Sequence, residues 1–175
     1  MNELAINLTR GLKTVISIED KDLIDGRGWL ASLNSHSKKN YVYRRDLGKR
    51  KDQRKLRYLH RVIVSRIVGR ELLKSEQVDH INGNTLDNRR ENLRIASRHQ
   101  NQSNIRKIRS KTGYKGVVEY HNGIYVAFCG IKGGAKYLGQ FSSPLEASIA
   151  YDKAAKSRAK EFASTNKEIY ENLSN

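Results

Sequence analysis

The order of apolar and polar positions divides the chain into three stretches. In the first, alternation over Leu12–Ile18 predicts a strand, Ile18–Ile24 a short helix, and Trp29–Leu33 a further apolar segment. Tyr41–Arg45 and Leu56–Leu59 read as a pair of strands, and His60–Val68 as a helix stopped by Gly69. The second stretch has an apolar step at Val78, a polar turn Asn82-Gly83-Asn84 and a short strand. Ser97 with Gln100 three residues on then forms a capping box, which predicts a helix from Arg98 through Ile105. The third stretch is the most regular. Gly113–Tyr120 and Ile124–Ile131 are strands joined by a His121-Asn122-Gly123 hairpin turn, and Lys136–Phe141 is a third strand. Ser143-Pro144-Leu145-Glu146 opens a helix whose Ala147, Ala150, Tyr151, Ala154 and Ala155 form a small-residue face able to lie close on a sheet.

Both strands and helices are predicted, and the α+β class is expected. We divide the chain into a β-rich and helical region over 1–76, a core over 77–106, a basic linker over 107–112, a sheet-and-helix domain over 113–166, and a tail over 167–175.

Charge narrows the partners. The chain holds 34 Lys+Arg against 18 Asp+Glu, a formal net charge of +16. Such an excess calls for a polyanion. Arg44–Arg61 alone carries nine Lys/Arg against two Asp, a hairpin able to track phosphates. The linker, with Lys107 and Lys111, could lie along them as well. No run reaches the length of a membrane span and no signal peptide is legible, so no membrane partner is expected. A single cysteine, Cys129, fits a reducing cytosol. We expect it to be a small core side chain.

Within 23 residues the chain reads Asp79-His80, Asn82-Gly83-Asn84, Asp87-Asn88-Arg89-Arg90-Glu91-Asn92-Leu93-Arg94, and then Asn101 on the capped helix. A neutral imidazole is the side chain best suited to take a proton near neutral pH, and hard oxygen donors suit magnesium or manganese. Asp79 and His80 are neighbours and would point to opposite sides of a strand, so the strand must end or twist there. This ordered set resembles the HNH nuclease motif, the site of a ββα-metal fold that cuts nucleic acid with one divalent metal. The resemblance implies His80 as general base and Asp79 as a metal ligand. It implies Asn92 as a brace that lets a backbone carbonyl orient His80. The last ligand is often a His in that family. The spacing here resembles the Asn version found in nicking homing enzymes of group I introns, which makes Asn101 the second ligand over its rival His99. Arg89, Arg90 and Arg94 become candidate phosphate clamps. His60 resembles a histidine that precedes the corresponding helix in intron-encoded members, in a structural role.

The third stretch resembles the plant ethylene-response-factor (Apetala-type) DNA-binding domain. The carrying residues are Tyr114-Lys115-Gly116-Val117, Leu138-Gly139-Gln140-Phe141, Ala150-Tyr151-Asp152-Lys153-Ala154-Ala155 and Phe162-Ala163-Ser164-Thr165-Asn166. The resemblance implies a three-stranded antiparallel sheet packed on one helix, entering the major groove with Lys115, Val118, Tyr120, Tyr125, Lys132, Lys136, Tyr137 and Gln140. Val117, Ala127, Cys129, Leu138 and Phe141 would face the helix. Positions that hold arginine or tryptophan in the plant domain hold Val118, Tyr120, Asn122, Gly130 and Ala135 here, so looser base readout is expected.

Together these readings give a metal-dependent homing endonuclease, using Mg or Mn on double-stranded DNA. We expect a monomer in a bacterial cytoplasm, encoded by a phage or other mobile element. Two other readings are kept open: a non-cutting DNA-binding regulator with the same fold, and an RNA-directed protein.

Overall fold

The structure, a computed structural model, describes residues 2–24, 28–33, 39–45, 56–104, 110–131 and 133–167. The expected DNA contacts Lys107 and Lys132 lie outside the described residues, as does most of the basic hairpin 44–61. The protein is a mixed α+β chain of small sheets and few helices, divided into two compact units, residues 1–98 and 99–175.

In the first unit, β1 (Glu3–Asn7) and β2 (Lys13–Ser17) form an antiparallel hairpin. Alternation decides which side of β2 is covered: Thr14 and Ile16 are fully buried. A two-residue strand, β7 (Asp87–Asn88), lies parallel to β2 with Val15 opposite Asp87 and Ile16 opposite Asn88. A second sheet is built from β3 (Leu30–Leu33), β4 (Asn40–Arg45) and β5 (Leu56–Tyr58), all antiparallel. β5 runs directly into α1 (Leu59–Val68), which buries Leu59, His60, Ile63 and Val64 on one stripe. Gly69 ends α1 in the left-handed region at φ 68, donating its N–H to Arg66 O. β6 (Gln77–His80) and β8 (Leu93–Ala96) form the last antiparallel pair. Ile16, Leu23, Trp29, Val42, Ile63 and Leu93 meet in one core, and the indole of Trp29 donates to Leu23 O at 2.8 Å. The segment expected as a short helix over 18–24 is a 3-10 turn over Ile18–Leu23, and β1 is a strand with no counterpart in the sequence reading.

α2 (Arg98–Ser103) begins where the capping box places it. In the second unit, β9 (Val117–His121), β10 (Ile124–Ile131) and β11 (Gly134–Phe141) form an antiparallel sheet with β10 in the middle. Asn122 and Gly123 turn the first hairpin with φ 30 and 83. α3 (Pro144–Ala159) is capped by Ser143, whose Oγ accepts the Glu146 N–H at 3.2 Å. Its buried Ala147, Tyr151 and Ala155 pack on Val117, Ala127 and Cys129. The fully buried Asn166 closes the unit. Its Oδ1 accepts from Lys115 N–H at 2.7 Å, its Nδ2 donates to Lys115 O at 3.0 Å, and its own N–H donates to Asp152 Oδ1 at 2.7 Å. A further bond from Ser164 N–H to Ser103 O, at 3.2 Å, ties α2 to this unit.

Gly116 is the position where this packing tolerates no side chain. Its φ is +75, and a Cβ there would stand 2.1 Å from Cδ2 of Tyr151 and 2.7 Å from Phe128 O. Gly116→Ala is therefore expected to cost on the order of 2–5 kcal/mol, from overpacking and a left-handed alanine together. Trp29, the sole tryptophan, reports on the other unit. In urea unfolding the far-UV circular dichroism transition should fall further than the tryptophan fluorescence transition.

Candidate active site

β6 ends on Asp79 and His80, and register with β8 sets what each meets: Asp79 is opposite Arg94 and His80 opposite Leu93. Both faces of this strand end are covered, so Asp79 is 3% exposed and His80 5%. Burial of a carboxylate demands a partner. Arg94 supplies it, donating from Nε at 2.8 Å and Nη2 at 2.7 Å to Asp79 Oδ2. His80 lies among rings, 5.3 Å from that of His60 and 6.3 Å from that of Tyr41. Its Nε2 is 3.4 Å from Asn88 Oδ1. Burial pushes the imidazole pKa below its ordinary value, against the opposing pull of Asn88, Asp79 and Asp87. His80 is thus held neutral, the form that accepts a proton.

The loop after β6 is fastened by side-chain amides. Gly83 N–H turns back to His80 O at 2.8 Å, and Ile81 N–H to Asn92 O at 2.9 Å. The Asn92 carboxamide spans the loop: Oδ1 accepts from Asn82 N–H at 2.9 Å, while Nδ2 donates to Asp87 O at 2.8 Å. Asn82 Nδ2 donates to Asp87 Oδ2 at 2.8 Å, and Asn84 N–H to Asn82 Oδ1 at 2.9 Å. These are the local backbone-capping bonds that make asparagine a turn residue.

The three arginines expected at phosphates are engaged with carboxylates of the same unit. Arg89 forks onto Asp87 at 2.8 and 2.7 Å, also meets Glu3 and Glu91, and holds the Asp87 carboxyl below its usual range. Arg90 forks onto Asp20 at 2.7 and 2.8 Å. Asp20 is fully buried and also takes Arg66 Nη1 at 3.2 Å, so two cations match this covered charge. Arg94 holds Asp79 as described. Asp20, Asp79 and Asp87 are covered carboxylates, and burial makes each of them need a cation.

Asn101 lies on α2 in the second unit and is half-buried. His99, on the same helix, is exposed and lines an open groove of about 870 Å³ with Ser103, Ile131, Arg158 and Lys160; Asn101 is not among the residues of that groove. Among the described residues no group of three or more His, Cys, Asp or Glu converges. A buried carboxylate such as Asp79 is a hard oxygen donor of the kind that suits magnesium or manganese.

In the second unit, Val118, Tyr120, Phe128 and Tyr137 are exposed. Phe128 is directly opposite Tyr137, with ring centroids 5.8 Å apart. Lys136 and Lys111 are exposed. Two of the expected DNA contacts lie toward α3. Tyr125 stands opposite Phe141 and packs with Val117, Ala127 and Ala147, on the side of the sheet that α3 covers. The Lys115 ammonium is 5.9 Å from the Tyr151 ring centroid and 3.5 Å from Ser164 O, so it too serves the packing against α3.

Two residues at His80 escaped the sequence reading. Asn88 sits inside the quoted motif, but nothing there marks it apart from Asn92. Thr14 is 74 residues from Asn88, to which it is bonded, and carries no local signal. His60 also lies against His80. Its Nδ1 is buried with no hydrogen-bond partner among the described residues, and burial, then the neighbouring His80 and Arg61, push its pKa down to about 3.

A family model described as HNH endonuclease matches residues 57–103, from β5 to the end of α2. That domain contains His60, Asp79, His80, Asn92 and Asn101. No curated protein and no solved structure matches the chain.

The two lowered histidines set an acid response. An unfolded histidine binds its proton near pH 6.5, whereas His60 in the folded protein resists protonation down to about 3. The unfolded state then holds more protons, so stability falls as pH drops below about 6.5, at up to about 1.4 kcal/mol per pH unit for each such group. The lowered carboxylates Asp87 and Glu76 add to this only below about pH 4.5. Urea unfolding between about pH 7 and pH 5 should show this decline, and His60→Phe should flatten it. An equal slope in His60→Phe would count against His60 as its source.

Proposed function

We propose that the chain is a divalent-metal-dependent DNA endonuclease of the homing type. The observation that carries this reading is the pairing of a buried, neutral His80 with the buried Asp79 at the end of β6, beside a loop clamped by Asn92.

His80 takes a proton from water. The hydroxide forms a bond to phosphorus as the P–O3′ bond breaks, leaving a 5′-phosphate and a 3′ oxygen that picks up a proton from solvent. Asp79 is the carboxylate positioned for a magnesium or manganese ion, which when bound supplies Lewis-acid stabilisation of charge at the scissile phosphate. Asn101 as second ligand rests on the resemblance in motif order and spacing. Residues 57–103 bring the nuclease chemistry; the unit over 99–175 is the part that selects DNA, through its sheet. What supports that role is the net charge of +16 and the exposed Val118, Tyr120, Phe128 and Tyr137. Such side chains favour contact with thymine methyls and base faces over bidentate hydrogen bonds.

One observation favours a non-cutting DNA-binding protein: the Asp79 carboxylate is already engaged by Arg94. Supercoiled plasmid decides between the two. With magnesium, the intact protein should yield open-circle DNA from nicking or linear DNA from double cutting. Neither product would favour the non-cutting reading. His80→Ala should lose roughly 10²–10⁴-fold in cleavage rate while DNA affinity stays within about a few-fold. Full activity in a folded His80→Ala protein would remove His80 from the mechanism.

A parallel series separates the two residues on α2. Asn101→Asp and Asn101→His should retain metal-dependent cleavage, since either side chain can ligate. Asn101→Ala should lose most of it and His99→Ala little. The reverse order would make His99 the ligand.

A further inference from the structure

His80 is a base only through whichever ring nitrogen lacks a proton, and the residues around it determine which one that is. Thr14 on β2 donates its hydroxyl proton to Leu86 O at 2.6 Å. A hydroxyl has one proton to give, so toward any further neighbour the Thr14 oxygen can only accept. That neighbour is Asn88, whose Nδ2 donates to Thr14 Oγ1 at 2.9 Å. A carboxamide oriented with its nitrogen toward Thr14 must turn its oxygen the other way, and Oδ1 faces His80 Nε2 at 3.4 Å. Reversing the amide would set two acceptors against each other at Thr14. The orientation is therefore fixed by the hydroxyl and not by the appearance of the amide. Thr14 and Asn88 are both fully buried, where an unmatched polar contact is costly. The parallel register of β2 with β7, Ile16 opposite Asn88, holds the two side chains together.

From this chain we infer that Thr14 and Asn88 are positioning residues that set the tautomer of His80. An amide oxygen only accepts, so Nε2 carries the proton and Nδ1 is the basic nitrogen that takes the proton from water. The assignment rests on His80 as general base. It gives the N-terminal hairpin, which lies outside the matched residues 57–103, a part in the chemistry. It puts at Nε2 a side chain whose orientation is set 74 residues away.

The test is ¹⁵N spectroscopy of the full chain labelled on histidine, at about pH 7.5, with the His80 signals identified by their loss in His80→Ala. Long-range proton–nitrogen correlations distinguish a protonated Nε2 from a protonated Nδ1. The intact protein is expected to show Nε2–H. Thr14→Ser, which keeps the hydroxyl, should preserve that pattern. Thr14→Val frees the amide to turn, and Asn88→Leu removes the acceptor. Both should shift His80 toward Nδ1–H or a mixture and lower the cleavage rate at least tenfold with little change in KM, and Thr14→Ser should restore the rate. Trp29 fluorescence checks that each variant is folded.

An intact protein showing Nδ1–H or a doubly protonated ring overturns the assignment without any variant. So does a folded Thr14→Val whose ring signals and rate are unchanged. If His80→Ala itself cleaves normally, it is the general-base reading that fails.

Discussion

The carboxamide of Asn92 is the contact on which the rest of the site depends. It grips the loop at both ends, Asn82 N–H on one side and Asp87 O on the other, while its backbone carbonyl takes Ile81 N–H. β7, which leaves this loop, runs alongside β2, where Thr14 and Val15 also bond to Leu86 O. That placement puts Asn88 between Thr14 and His80. Asp87, fixed by the same brace, becomes the anchor for Arg89. An apolar residue at 92 would leave the buried Asp87 carbonyl without this donor, worth roughly 1–3 kcal/mol when unmet. The shape of the loop thus rests on one side chain with both a donor and an acceptor end.

Charge does two jobs in this protein, and the structure separates them. Arg66, Arg70, Arg89, Arg90 and Arg94 face carboxylates of their own unit. Two of those carboxylates, Asp20 and Asp79, are almost wholly buried. These arginines stabilise the fold by matching charges that burial would otherwise penalise. Their presence beside the catalytic candidates is therefore no measure of affinity for nucleic acid. The exposed Lys111 and Lys136 belong to the net excess of +16, which suits a polyanion.

Much of the local architecture was legible because it rests on short-range chemistry. Gly69, Asn122-Gly123 and Ser143-Pro144 mark turns and caps whose mechanism lies within four residues, and the structure has them at those places. Asp79, His80 and Asn92 stand out by order and spacing, and the family match covers them. What could not be read is long-range. Thr14 and Asn88 meet across 74 residues. The commitment of Arg90 depends on Asp20, 70 residues earlier. Tyr125 was given to DNA by the resemblance, whereas alternation carries it to the side of Ala127 and Cys129, where it packs toward α3. His60 was visible as a helix-start histidine, but its contact with His80 depends on how β5 delivers α1 to the end of β6.

The central claim is that a divalent cation is held at Asp79, next to His80. Manganese titrated into ¹⁵N-labelled protein tests it without any appeal to cleavage, because the paramagnetic ion broadens only amide signals close to it. The account expects the first losses at Val78, Asp79, His80 and Ile81, and their absence in Asp79→Ala. Broadening that leaves these amides sharp and falls on carboxylates elsewhere would contradict it.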